Sequence, residues 1–268
     1  MRRRRTFESA AARYDRARPP YPRQLFDDLA AMAQLEGGDR VLEIGPGTGL
    51  ATVRLAELGY RIVAVELGAE LAAIARRNLA AHANVETVVA PFEDWPLPRE
   101  PFDAVVSATA FHWIDPEIRV AKAAQALRPG GSLAIIETRR VPVGDEQLFA
   151  DLWRCSERFD PTARPPRKLT ADEPPESLAE LEGSGLFDHV ASRRYDWTKE
   201  YTTDGYVELL MTFSNVLALE PQAQSGLLGC MADVIDGKLG GRIAERIANH
   251  LVVARTSNRG RGGASLTG

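Results

Sequence analysis

From about residue 40 to residue 138, short apolar runs alternate with helical stretches. RVLEIG, YRIVAVE, NVETVVA, FDAVVSAT and SLAIIET are strand-length and rich in β-branched residues. Runs that are apolar on both faces belong to strands covered from both sides. Between them, TGLATVRLAELG ends at a glycine stop, LGAELAAIARRNLAAHA is rich in alanine and leucine, and EIRVAKAAQALRPGG runs from helix into turn. The alternation predicts an α/β fold, a Rossmann-like doubly wound sheet whose strands are mostly parallel. Ligands of such sheets lie at the carboxyl ends of the strands, where strand order reverses.

Outside this stretch the pattern loosens. Upstream, Leu25, Leu29 and Met32 mark a helix after Pro19, Pro20 and Pro22 interrupt a shorter one. Downstream, residues 146–160 read as a helix and ARPPRKLTADEPPE as a proline-rich loop. DHVASRRYDW alternates like an antiparallel strand, YVELLMTFSNVLAL is an apolar helix, PQAQSGLLGCMADVIDGKLGG is another, and ERIANHLVVARTS is a final, antiparallel strand. The expected organisation is a disordered basic start (1–6), one domain over 7–255, and a glycine-rich disordered tail (256–268). Within the domain, 7–34 would form an N-terminal cap, 35–143 the cofactor-binding half, and 144–255 a helical substrate cap with the final strands.

Charge narrows the function. The 268 residues carry 33 Lys and Arg against 37 Asp and Glu, a net charge of -4. Duplex nucleic acid demands a basic face, and none is evident. The opening MRRRR has no apolar stretch behind it, so it is not a secretory signal, and no run is long enough to span a membrane. Cys155 and Cys230 stand far apart with no metal-site spacing. They predict a reduced, cytoplasmic protein in which each is a small core residue.

VLEIGPGTG, residues 41–49, sets Gly45, Gly47 and Gly49 after the first strand. Glycine allows close approach of a ligand to bare backbone, and the helix that follows offers free amides. A dinucleotide fingerprint requires glycine at the first, third and sixth positions. Here the sixth is Leu50, the third glycine comes one residue early, and Glu43 precedes the set. That spacing disfavours a pyrophosphate and hence a nicotinamide-dependent oxidoreductase.

EIGPGTG resembles the first motif of the class I S-adenosylmethionine-dependent methyltransferases, and RPGGSLAII resembles the turn into their fifth strand. The resemblance implies S-adenosylmethionine as cofactor, with Glu43 near its methionine end and Glu66, with Leu67 beside it, at the ribose hydroxyls. In APFEDWPLP, Pro91 stands where the family usually has aspartate, which leaves Phe92 and Glu93 as the adenine candidates. RYDRARPPYP resembles a segment laid over the cofactor, with Tyr14 or Arg18 at its carboxylate and Tyr21 toward the substrate. Strand four ends in SATAFHWIDP, where His112 and Trp113 resemble a pair that contacts small-molecule acceptors; His112 is also the candidate general base. Tyr206, Leu210, Met211 and Phe213 are candidate lining of the acceptor pocket. The chain lacks the Asn/Asp-Pro-Pro-aromatic segment of base-amino methyltransferases, a nucleophilic cysteine near the site, and an acid cluster for magnesium. The expectation is therefore methyl transfer to an oxygen, nitrogen or carbon of a small molecule, without nucleic acid, membrane or metal. The rivals are an oxidoreductase and a non-catalytic module that only binds S-adenosylmethionine.

Overall fold

The computed structural model describes residues 11–160, 163 and 173–257. The basic start and most of the tail lie outside the described residues. The chain runs α1 (Ala11–Ala17), α2 (Arg23–Ala33), β1 (Arg40–Ile44), α3 (Leu50–Glu57), β2 (Arg61–Glu66), α4 (Ala69–Asn78), β3 (Val85–Val89) and β4 (Phe102–Ala108). After a 3-10 turn (Phe111–Trp113) come α5 (Arg119–Ala126), β5 (Leu127–Pro142), α6 (Glu146–Phe159), α7 (Glu176–Gly183) and β6 (Phe187–Thr202). α8 (Thr203–Leu210), α9 (Ser214–Leu217), α10 (Pro221–Leu239) and β7 (Arg242–Thr256) complete it.

The strands form one seven-stranded sheet in the order β3-β2-β1-β4-β5-β7-β6. Only β7 runs against its neighbours. Order reverses between β1 and β4, so the predicted ligand crevice lies above their carboxyl ends. The two faces bury separate clusters. Leu25, Leu29, Val41, Leu55 and Ile136 pack beneath α2 and α3, and Leu42, Phe102, Val105, Leu133 and Ile135 pack on the opposite face. Successive residues of one strand thus enter different layers, which is why these runs are apolar throughout.

Three departures from the sequence pattern shape the crevice. First, β5 is 16 residues long, not seven. Its ladder with β4 ends at Ala108↔Ile136, and from Glu137 to Pro142 it pairs only with β7. This overhang stands up beside the strand ends as a wall. Second, the apolar helix is broken. The Thr212 hydroxyl donates to the Leu209 carbonyl at 2.6 Å, a local bond that competes with helix continuation. Phe213 is then extended (φ -88, ψ 134) before α9 begins. Third, α7 arises at the end of the proline-rich segment, which had no helical reading. Residues 164–172 of that segment lie outside the described set.

The cysteine expectation is corrected. Cys155 on α6 and Cys230 on α10 form a disulfide, with Cα atoms 5.7 Å apart. The packing of α6 against α10 brings together two thiols separated by 75 residues. Their spacing in the chain carries no trace of this. Among the described residues, no helix is long and apolar enough to cross a membrane, and no cluster fit to hold a metal is present.

Candidate active site

Gly45, Gly47 and Gly49 all adopt positive φ, at 68°, 61° and 91°. L side chains with a Cβ rarely enter this region. At Gly45 a Cβ would also lie 2.5 Å from the Ala110 Cβ, so the β4 end crowds this turn. Gly45 and Gly47 face a cavity of about 640 Å³ above the switch point. Gly49 lies underneath, where it opens α3 and a Cβ would press on Leu79 at 3.3 Å.

Glu66, at the tip of β2, is buried and lines the same cavity. Its Oε2 accepts from the Gly47 amide at 2.9 Å and its Oε1 from the Gly68 amide at 2.8 Å. One carboxylate therefore ties the glycine turn to the start of α4. A carboxylate oxygen has two lone pairs and can accept from more than one donor. Leu67, Leu71 and Phe92 add apolar wall on this side. Bare backbone, a carboxylate on the cavity wall and an apolar slot fit an adenosine group.

Glu43 is placed differently from its neighbours. It is fully buried in β1 and does not line the cavity. Neither carboxylate oxygen has a hydrogen-bond partner among the described residues. Burial pushes its pKa up to about 7; the nearby Thr52 hydroxyl opposes the rise and the charge of Glu66 adds to it. Glu93 also points elsewhere. Its Oε1 accepts from the Asp115 amide at 3.2 Å, clamping the loop after the 3-10 turn. Phe92 alone of that pair reaches the cavity.

The N-terminal segment roofs the crevice. Arg13 pairs with Glu208 on α8, and Asp15 accepts from Asn78 on α4, so α1 bridges the two halves. Arg18 donates through Nε to the Thr212 hydroxyl at 2.9 Å and through Nη2 to its carbonyl at 3.3 Å. The guanidinium lies over the rings of Tyr14 and Phe213, 4.9 and 4.6 Å from their centroids. Burial depresses the Arg18 pKa from its usual value. Tyr14, Arg18, Tyr21 and Phe213 all line the cavity. Tyr206, Leu210 and Met211 do not; they pack in the core between α6, α8 and α10.

The opposite wall starts at the β4 tip. Thr109 has φ 55, unusual for a β-branched residue, and its hydroxyl meets the Tyr21 hydroxyl at 3.1 Å. His112 and Trp113 follow in the 3-10 turn, ring centroids 5.0 Å apart, both on the cavity wall. Burial lowers the His112 pKa, with Glu137 pulling the other way, which favours the neutral ring.

The remaining wall was not legible as a site. Glu137, Arg139 and Arg140 come from the β5 overhang, Arg119 from α5, and Glu176, Ser177 and Glu180 from α7. Glu137 accepts from the Ser177 amide at 2.8 Å, and Arg119 grips Glu180 through two bonds of 2.7 and 2.9 Å. The available signal was the polar ETRR following a buried strand, which continues the strand past its β4 partner.

Residues 42–135 match the methyltransferase domain family. An uncharacterized methyltransferase of Mycobacterium bovis is 29% identical over 254 residues, spanning 94% of this chain and 89% of that protein. A solved structure from Anaeromyxobacter dehalogenans, assigned as a type II methyltransferase, superposes with a TM-score of 0.62 at 26% identity, over 90% of this chain and 98% of that one. The phosphoethanolamine N-methyltransferase 2 of Haemonchus contortus, solved with phosphomonomethylethanolamine and S-adenosylhomocysteine, shares the fold at a TM-score of 0.50 and 17% identity, over 87% of this chain and 52% of that one. With the glycine turn, the acid at the β2 tip and the sheet order, these likenesses give the chain a methyltransferase domain over residues 42–135 and class I S-adenosylmethionine-dependent methyltransferases as its relatives.

Proposed function

We propose that the protein methylates a small-molecule acceptor at oxygen, nitrogen or carbon. The observation that carries this reading is a single cavity with two unlike sides. One side is bare glycine backbone with Glu66 and Phe92; the other is His112, Trp113 and the β5 overhang. Its volume of about 640 Å³ is typical of pockets that bury small ligands.

When bound, S-adenosylmethionine supplies a methyl group already activated by its sulfonium. Glu66 holds the ribose hydroxyls, Phe92 lies against the adenine, and Arg18 takes the methionine carboxylate in a charge-assisted bond. Glu43 sets the charge beneath the glycine turn without touching the ligand. Trp113 forms the acceptor wall and His112 contacts the acceptor. As a neutral imidazole, His112 can take the proton of a hydroxyl acceptor; a carboxylate acceptor needs no base. The protein's main contribution is alignment, which in well-oriented pairs gains on the order of 7–11 kcal/mol.

Two measurements test this. Calorimetry with S-adenosylhomocysteine must show saturable binding. Label from methyl-labelled donor must then appear in a low-molecular-weight product when a metabolite extract is added. Binding with no transfer to any fraction would leave a cofactor-binding module and overturn the enzymatic reading.

A further inference from the structure

Four arginines and four glutamates line the cavity, Arg18, Arg119, Arg139 and Arg140 against Glu66, Glu137, Glu176 and Glu180, but the charges are unevenly placed. Arg119 is forked by Glu180. Arg139 donates to the carbonyls of Glu173 and Pro174, both at 2.9 Å, which pins the loop that leads into α7. Positive charge is concentrated at Arg18 and Arg140. Among the described residues no carboxylate is within ion-pair distance of Arg18. Arg140, on the β5 overhang, donates through Nη1 to Glu245 at 2.7 Å and to the Tyr201 hydroxyl at 3.2 Å. Its Nε is buried with no hydrogen-bond partner among the described residues. Glu245 is itself nearly inaccessible. Its charge acts on both arginines, while Arg18 and Arg140 repel each other. Two largely desolvated guanidinium groups thus share one acid.

Buried charge without a counter-charge is costly, and an oxyanion forking a guanidinium offsets that cost. The donor cannot do so alone. S-adenosylmethionine carries a carboxylate, an ammonium and a sulfonium, a net positive charge. Its carboxylate can satisfy Arg18 but brings no net negative charge to the site. We propose that the methyl acceptor carries an oxyanion, a carboxylate or a phosphate, and that Arg140 is the residue that binds it. This rests on the cavity being a methyl-transfer site.

The test splits a metabolite extract on an anion-exchange resin and assays both fractions for transfer from labelled donor, with S-adenosylhomocysteine affinity measured alongside. Methyl-accepting activity should be in the retained fraction, and treatment with phosphatase then separates a phosphate acceptor from a carboxylate. Because Arg140→Gln alone would strand Glu245 in the interior, the neutral pair Arg140→Gln/Glu245→Gln is the principal variant. It should raise the apparent KM for the retained acceptor at least tenfold while S-adenosylhomocysteine affinity stays within twofold. Glu245→Gln alone, which frees Arg140, should lower that KM. Activity confined to the unretained fraction, or a KM that the double variant leaves unchanged, overturns the proposal. Failure of the native protein to bind S-adenosylhomocysteine would instead remove the cofactor reading beneath it.

Discussion

Glu66→Gln separates a structural role from a ligand-binding one. The carboxylate receives two backbone amides, Gly47 at 2.9 Å and Gly68 at 2.8 Å, one on each oxygen. Glutamine keeps the shape but has one carbonyl oxygen, so its amino group must face one of those N–H donors. The free protein loses one charge-assisted bond, about 1.5–3 kcal/mol. At about 2–4 °C per kcal/mol for a chain near this size, the melting temperature should fall by roughly 3–12 °C. If the same oxygens receive the ribose hydroxyls, a comparable loss falls on the cofactor, about ten- to a hundredfold in Kd. Calorimetry with S-adenosylhomocysteine and thermal unfolding of the free variant read the two effects independently. A less stable protein with unchanged affinity would mean that Glu66 only fastens the glycine turn. Unchanged stability would contradict the two amide contacts.

Other outcomes follow from the same geometry. Glu43 has its folded-state pKa raised to about 7, above the free-acid value of about 4.3, so the folded state holds its proton more tightly. Its contribution to stability therefore falls as pH rises between those values and is flat above them. Glu43→Gln should stabilise the protein against urea more at about pH 8 than at about pH 5; an equal offset at both would refute the assignment. Arg18→Met should weaken S-adenosylhomocysteine binding at least tenfold but leave 5′-methylthioadenosine, which lacks the carboxylate, unaffected; equal losses for both ligands would place Arg18 elsewhere. Breaking the Cys155–Cys230 bridge by replacing both with alanine opens a loop of 75 residues. The chain-entropy account predicts a loss of about 4 kcal/mol by denaturant unfolding. Stability unchanged by the replacement would show that the bond does not form in solution.

The strands and the glycine turn were readable because their causes are local. A buried strand needs an unbroken apolar run wherever it sits, as in VLEI and RIVAVE. Gly45, Gly47 and Gly49 are demanded by their own positive φ. Glu66 was found because strand two ends there. Other assignments depended on direction. Glu43 and Glu93 stand beside residues that reach the cavity, yet one is fully buried off its wall and the other turns to a loop amide. Met211 was assigned to the pocket with Phe213, but the helix break at Thr212 sends only Phe213 to the wall.

What the amino-acid order determined by itself was the α/β alternation, the switch-point crevice and the glycine turn that opens onto it, since propensity, period and φ act within a few residues. Tertiary structure decided the roof and the far wall of the cavity. Arg18 meets Thr212 across 194 positions, Arg140 meets Glu245 across 105, and Cys155 meets Cys230 across 75. Each pairing depends on how β5 overhangs β4 and how the cap helices fold back over the strand ends, and no spacing along the chain encodes a contact closed through that third dimension.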